Sequence, residues 1–280
     1  MNRPGIDLER LAKIRHIVLD MDGTIYNGSK LFQFTPHFFD TLEKMDIHYT
    51  YLTNNSSRNV TQYLSKLHKM GLKGTPENIY TSSLSTIDYL KSRRKDIKNL
   101  FILGTEGLKA EFRESGYLIV EKGDDIEPDA VIIGFDTSLV YENLCKAGYW
   151  IERGKPFIAT HPDRICPTDQ PTLLVDCGAI CAALESATGR APDIVLGKPD
   201  PGMIWGIIER NYLEKDEVIM VGDRLYTDIE MAHRAGVMAV LVLSGEAKQE
   251  DVRDSSNRPD LVVENIQELG KLLVESRNRQ

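Results

Sequence analysis

Cysteine is scarce in this chain: Cys145, Cys166, Cys177 and Cys181 are the four thiols in 280 residues. They form neither a C-x-x-C pair nor a zinc pattern with histidine, which argues against a disulfide framework and a structural zinc. Four reduced thiols, packed or partly exposed, are expected. An excess of positive charge is also missing. The 34 Lys and Arg against 42 Asp and Glu leave a net charge of −8, which disfavours a nucleic-acid or anionic-membrane partner. A local basic pocket for one phosphate stays compatible with that balance. No apolar run approaches the ~20 residues of a membrane span. No signal-peptide core follows Met1 to Asp7, so a cytoplasmic location is expected. Low-complexity segments and fixed-period repeats are lacking. The two tryptophans, Trp150 and Trp205, fall in helical patterns that core or interface packing explains.

What the chain does have is 41% apolar and 27% charged residues, a globular balance. Short apolar runs alternate with helical patterns. His16–Leu19, Ile47–Leu52, Ile79–Thr81, Leu100–Leu103, Ala130–Ile133, Phe157–Ala159, Ile194–Leu196, Val218–Val221, Val237–Leu243 and Leu261–Val263 read as strands. Helices are expected from Thr35, with Thr as cap and Pro36 at the first helical position, and over Arg58–Met70, Ser83–Lys91, Glu106–Ser115 and Tyr141–Arg153. Others are expected over Ala179–Thr188, Gly202–Asn211, Asp228–Ala235 and from Ile266 to about Val274. Strands alternating with helices imply βαβ units and a parallel sheet. Solid apolar strands fit a sheet covered on both faces.

Four motifs punctuate this pattern: Asp20-Met21-Asp22-Gly23-Thr24, Thr53-Asn54-Asn55, Gly197-Lys198-Pro199 and Gly222-Asp223-Arg224-Leu225-Tyr226-Thr227-Asp228. Each lies at the end of an apolar run. Ligands of open parallel α/β sheets bind outside the carboxyl ends of the strands. Asp20 can there attack a phosphoryl group and form an aspartyl-phosphate. Two anions repel, so a cation is needed, and magnesium held by carboxylates and substrate phosphate answers that need. Asp22 can protonate the leaving oxygen and later take a proton from water. Thr53, Asn54 and Asn55 offer hydroxyl, amide and N–H groups to phosphate oxygens, and Lys198 offers a cation. Asp223 is a metal-ligand candidate. Asp228 would orient the metal shell or Lys198, or serve as a helix N-terminal acid.

Taken singly, each motif has a plain reading: a polar turn after a strand, a helix cap in which Ser56 and Ser57 take part, a solvated lysine. Together and in this order they point to phosphoryl chemistry. The segment between Thr53 and Lys198 holds several strands and helices, too much for a loop. The expected plan is a core domain over 1–89, an inserted α/β domain over 90–190, and the rest of the core over 191–280.

With Gly134-Phe135-Asp136, Pro156 to Asp163 and Glu185 to Arg190 added to the four motifs, the chain resembles the haloacid-dehalogenase-superfamily phosphatases over nearly its whole length. The likeness is greatest to their NagD-like, para-nitrophenyl-phosphatase branch. That resemblance implies a doubly wound, mostly parallel α/β core with a smaller inserted α/β cap. It implies Asp20 as nucleophile and Asp22 as acid and base. Mg²⁺ would sit on Asp20, the main-chain carbonyl of Asp22, and Asp223. Thr53, Asn54, Asn55 and Lys198 would hold the phosphate. The implied substrate is a small phosphorylated metabolite, and the implied assembly a monomer or homodimer. Members acting on carbon–halogen or carbon–phosphorus bonds lack the acid at the position of Asp22. A phosphomutase, a receiver-type signalling module and a non-catalytic binding relative are the alternatives; the length, the insertion and Asp22 weigh against the receiver. The loop from Ile165 to Gly178, with Asp176 polar and Cys177 small, is the expected surface toward the leaving group. His161 and Asp163 read as structural or as binding contacts.

Overall fold

The computed structural model describes residues 7–121, 123–168 and 171–278. They divide into two compact units, 7–52 with 68–78 and 204–278, and 53–67 with 79–203.

The first unit is built on parallel strands in the order Leu261–Val263, Met238–Val242, Val218–Gly222, His16–Asp20 and His48–Thr53. Two motif aspartates take their place from this order. Leu19 is in register with Val221 and Gly222 with Leu241, so Asp20 and Asp223 leave neighbouring strands at the same end of the sheet. Ile17, Val18, Leu19 and Val218 to Val221 are fully buried, as solid apolar strands under helices must be. Helices Thr35–Lys44 and Ile266–Arg277 pack against one another in this unit.

The second unit carries a five-stranded parallel sheet in the order Ile194–Val195, Phe157–Ala159, Ala130–Ile133, Asn99–Leu103 and Leu118–Ile119. Alternate residues of each strand point to opposite faces. Leu100, Ile102, Ala130, Ile132 and Ile158 meet Leu108 and Phe112 on one side. Phe101, Leu103, Val131, Ile133 and Phe157 meet Ala147, Ile151 and Leu184 on the other. Each large apolar side chain so buried contributes about 1.5–3 kcal/mol. The architecture is α/β, with the parallel α/β sheet of this unit inserted in the chain between parts of the first.

Several local expectations change. Thr35 begins its helix but does not cap it: its hydroxyl donates to the Ile25 carbonyl at 2.7 Å, and Pro36 alone marks the start. Ser56 and Ser57 do not cap the helix Val60–Lys69. Asn59 does, with its Oδ1 accepting from Gln62 N and its own N–H donating to Gln62 Oε1, a reciprocal cap. Cys177 is not in a loop. Asp176 caps the helix Cys177–Thr188, accepting from Cys177 N at 2.6 Å, and both residues are buried. Neither presents exposed surface in this structure. Exposed residues of that segment include Ile165 and Val175, in the antiparallel pair Ile165–Cys166 and Leu174–Val175, and Leu173 beside it. The helix expected from Asp228 is instead a wide π turn over Leu225–Ile229 followed by Glu230–Ala235. The two-residue strand Leu118–Ile119 was too short to be read as a run. No disulfide joins the four cysteines.

Candidate active site

In the first unit three carboxylates converge. Asp20, Asp223 and Asp228 are all buried, and each brings one oxygen within 4.8 Å of the others. The surroundings are made by backbone as much as by side chain. Asp223 Oδ2 accepts from Glu246 N at 2.7 Å, and the Asp223 carbonyl accepts from Ala247 N. A Cβ on Gly23 would lie 2.3 Å from Asp223 Oδ2, and one on Gly245 2.1 Å from it. Gly23 also sits at φ +81°, where side chains are disfavoured. The glycine of Asp-x-Asp-Gly is thus required by the close approach of Asp223. Ser244 ties the same turn by donating its hydroxyl to the Gly23 carbonyl at 2.7 Å. Asp228 Oδ2 accepts from Arg224 N at 3.1 Å, which the π turn makes possible.

Asp22 lies outside this triad and is half-buried. It sits beside a tight hairpin, Tyr26–Asn27 against Lys30–Leu31. Gly28 N reaches Asp22 Oδ1 at 3.5 Å, and Gly23 N donates to the Tyr26 carbonyl at 2.7 Å. Arg224 provides the positive charge near the triad. Burial works against its charge, but Tyr226, Glu246, Asp20 and Asp223 raise its pKa well above the ordinary value. Glu246 holds it, with Arg224 Nε 2.9 Å from Glu246 Oε2, and Tyr226 donates to the other oxygen at 2.8 Å.

A buried triad of hard carboxylate oxygens fits Mg²⁺ or Mn²⁺ better than Zn²⁺. Magnesium is therefore compatible with the donors present. Asp20 and Asp223 would hold it, with Asp228 beside them in support.

Thr53, Asn54, Asn55 and Lys198 belong to the second unit. Asn54 and Lys198 pair directly: Lys198 N donates to Asn54 Oδ1 at 2.7 Å, and Asn54 Nδ2 donates to the Lys198 carbonyl at 3.1 Å. The Asn54 side chain is thereby committed, so its main-chain N–H is what it can offer a phosphate. Thr53 Oγ1 accepts from Asn55 N at 3.1 Å. The Asn55 amide oxygen accepts from Ser57 N and Oγ, and Tyr63 donates to the Asn55 carbonyl at 2.8 Å. Lys198 is buried.

Comparison with known proteins places the chain in a family. The pattern of haloacid dehalogenase-like hydrolases matches residues 17–118, and a HAD-hydrolase-like pattern matches 195–269. An acid sugar phosphatase of Staphylococcus aureus is 34% identical over 258 residues, 92% of this chain and 97% of its own length. The chain belongs to the haloacid-dehalogenase-like hydrolases. Among solved structures it is similar to a 4-nitrophenylphosphatase of Thermotoga maritima, with TM-score 0.88 and 39% identity over 94% of this chain and 98% of that one. It is also similar to a glycerol phosphate phosphatase of Mycobacterium tuberculosis solved with magnesium, at TM-score 0.85 and 29% identity over 93% and 78% of the two chains. Within the superfamily its branch is that of the NagD-like and p-nitrophenyl phosphatases, and the chain is a phosphatase.

Sequence reasoning passed over several residues of this hydrolase. Ser244, Gly245 and Glu246 follow a strand that neighbours Val218–Gly222. The strand-end argument that selected Asp20 and Asp223 applies to them equally. The hairpin beside Asp22 carried its own signal, Asn27-Gly28, a turn pair favoured in tight hairpins.

Proposed function

We propose that this phosphatase hydrolyses phosphate monoesters of small metabolites, with sugar phosphates, glycerol phosphate and p-nitrophenyl phosphate as the class. The reading rests on one observation above the others. Asp20 and Asp223 leave adjacent strands into one buried carboxylate triad, while Asp22, two residues from Asp20, stays outside it. That division supports one carboxylate for attack and another for proton transfer. The names of the similar proteins supply the substrate class.

In the proposed reaction an Asp20 oxygen bonds to phosphorus as the bond from phosphorus to the ester oxygen breaks. Protonated Asp22 gives its proton to that leaving oxygen. Asp22, now a carboxylate, takes a proton from water whose oxygen attacks the aspartyl-phosphate, and the bond from phosphorus to Asp20 breaks. Asp22 is thereby reprotonated and Asp20 regenerated. Thr53, Asn55 and the main chain of Asn54 hold phosphate oxygens, and Lys198 balances their charge. Magnesium, when bound to Asp20, Asp223 and the Asp22 carbonyl with Asp228 in support, neutralises charge that would otherwise keep nucleophile and phosphate apart. Residues 90–190 act as a cap that selects the ester, while 1–89 and 191–280 supply the chemistry. The protein works in the cytoplasm as a monomer or homodimer, without nucleic-acid or membrane partners. Among the described residues no helix is long and apolar enough to cross a membrane.

A panel of phosphate esters assayed with and without Mg²⁺ tests the reading. Hydrolysis of sugar phosphates and p-nitrophenyl phosphate that depends on Mg²⁺ is expected. Absence of turnover across the panel would overturn it.

A further inference from the structure

The second unit buries a charged cluster that the proposed reaction does not use. His161 and Asp176 are buried, and Asp163 is nearly so. The imidazole lies between two carboxylates. Its Nδ1 is 3.6 Å from Asp163 Oδ2, and its Nε2 is 3.5 Å from Asp176 Oδ1 and 3.4 Å from Ser56 Oγ. One ring nitrogen and one oxygen of each carboxylate lie within 4.8 Å of one another. Among the described residues Nδ1 has no hydrogen-bond partner, so Asp163 meets the ring through a charge contact. A neutral imidazole has one N–H to give; carboxylates beside both ring nitrogens favour the doubly protonated cation. Burial works against that charge, while Cys177, in so far as it is a thiolate, and Asp163 and Asp176 raise the His161 pKa. Cys177 faces the ring from the start of its helix and donates its thiol to the Ile133 carbonyl at 3.2 Å.

Asp163 connects this cluster to Lys198. Asp163 Oδ2 accepts from Asn54 Nδ2 at 3.1 Å, and the same amide makes the reciprocal pair with the main chain of Lys198. The Lys198 N–H fixes which end of the Asn54 amide is oxygen. The NH₂ end must then face acceptors, and Asp163 is one of them. Burial raises the Asp163 pKa, yet His161, Asn54 and Lys198 bring it below the ordinary value, so the acceptor stays an anion. Packing leaves no slack. At Gly197, φ +72°, a Cβ would lie 2.7 Å from His161 Cβ and 2.8 Å from Asn54 Oδ1.

We propose that Asp163 is a positioning residue: seated beside the imidazole of His161, it orients the Asn54 amide, which sets the main chain of Lys198 and so the aim of its ammonium group. The proposal rests on the phosphatase reading.

The test uses the full-length, Mg²⁺-loaded enzyme, p-nitrophenyl phosphate as substrate and inorganic phosphate as inhibitor. Asp163→Asn keeps an acceptor oxygen for Asn54 and gives up the charge; Asp163→Ala gives up both. Asp163→Ala is expected to lower kcat/KM by about 10- to 100-fold, the scale of a small misplacement, and to weaken phosphate inhibition by a similar factor. Half-saturation by Mg²⁺ should not move, because the metal-holding carboxylates belong to the other unit. Asp163→Asn should recover most of the loss. Where Asp163→Ala does not fold, Asp163→Ser takes its place in the comparison with Asp163→Asn. Folded Ala or Ser variants that turn over and bind phosphate as the parent does would overturn the proposal. So would an Asn variant as impaired as the Ala or Ser one. A parent enzyme inactive on every phosphate ester would instead overturn the phosphatase reading itself.

Discussion

Two buried clusters of carboxylates in this protein solve the same electrostatic problem differently. Asp20, Asp223 and Asp228 crowd their oxygens within 4.8 Å, ringed by backbone N–H groups and with Arg224 nearby. Asp163 and Asp176 also bring one oxygen each within 4.8 Å of the other, but they share that space with the imidazole of His161, whose Nδ1 is 3.6 Å from Asp163 and whose Nε2 is 3.5 Å from Asp176. Carboxylates forced together at this burial need compensating charge. The first cluster offers only carboxylate oxygens, which an exchangeable divalent ion would suit. In the second a side chain of the protein stands with the acids. Acid groups in close array therefore do not by themselves mark a metal centre; the company they keep does.

The comparison breaks most sharply at Asp20. Asp20→Asn preserves shape but removes the proposed nucleophile, and turnover is expected to fall by several powers of ten with the circular-dichroism melting curve little changed. A variant that kept a substantial part of parental turnover would refute the role. Metal removal comes next. Thorough chelation should abolish hydrolysis and added Mg²⁺ restore it, while Asp223→Asn should raise the Mg²⁺ concentration needed for half-maximal rate; full activity in a metal-free sample would contradict the contrast between the two clusters. Asp22→Asn is smaller in reach. The loss should approach ~10²–10⁴-fold on sugar phosphates and be slighter on p-nitrophenyl phosphate, whose leaving group needs less protonation. Equal losses on both would argue that Asp22 is not the acid.

The smallest effect concerns stability and a third carboxyl group. Glu111 is buried, accepts from Val60 N at 3.1 Å, and has its pKa raised to about 7, chiefly by burial. Its folded pKa exceeds the unfolded value, so the folded state binds the proton more tightly. Its contribution is full below about pH 4.5 and is lost as pH rises toward 7. Melting temperatures should therefore decline across that window, and Glu111→Gln should flatten the decline. An unchanged slope in the variant would assign the pH dependence elsewhere.

Much of this was legible in the sequence. The strands His16–Asp20, Val218–Gly222 and Ala130–Ile133 announce themselves as solid apolar runs because helices cover both sheet faces. The motif aspartates follow because strand ends expose whatever comes next. What was not legible depends on residues far apart in sequence. His161 and Asp163 look like an ordinary turn until Asp176 and Asn54 arrive beside them. The cap of the helix Val60–Lys69 went to Asn59 because Ser56 was drawn elsewhere, accepting from Phe135 N at 2.9 Å. Cys177 looked like loop because its run holds two small residues, yet Asp176 starts a helix there. Local pattern fixes where a chain turns; only the assembled fold says which of two hydroxyls or carboxylates is drawn inward.

The reciprocal bonding of Asn54 with Lys198 joins positions 144 residues apart in the chain. A long excursion fastened at its two ends closes at an entropy cost that grows only slowly with length. This one is not self-contained: the chain returns to the first unit over residues 68–78, and the strand Ile79–Thr81 joins that unit's sheet. Chimeric proteins meant to move selectivity from one chain to another should therefore be cut beyond Thr81 and before Lys198, leaving that return and the Asn54 fastening in place.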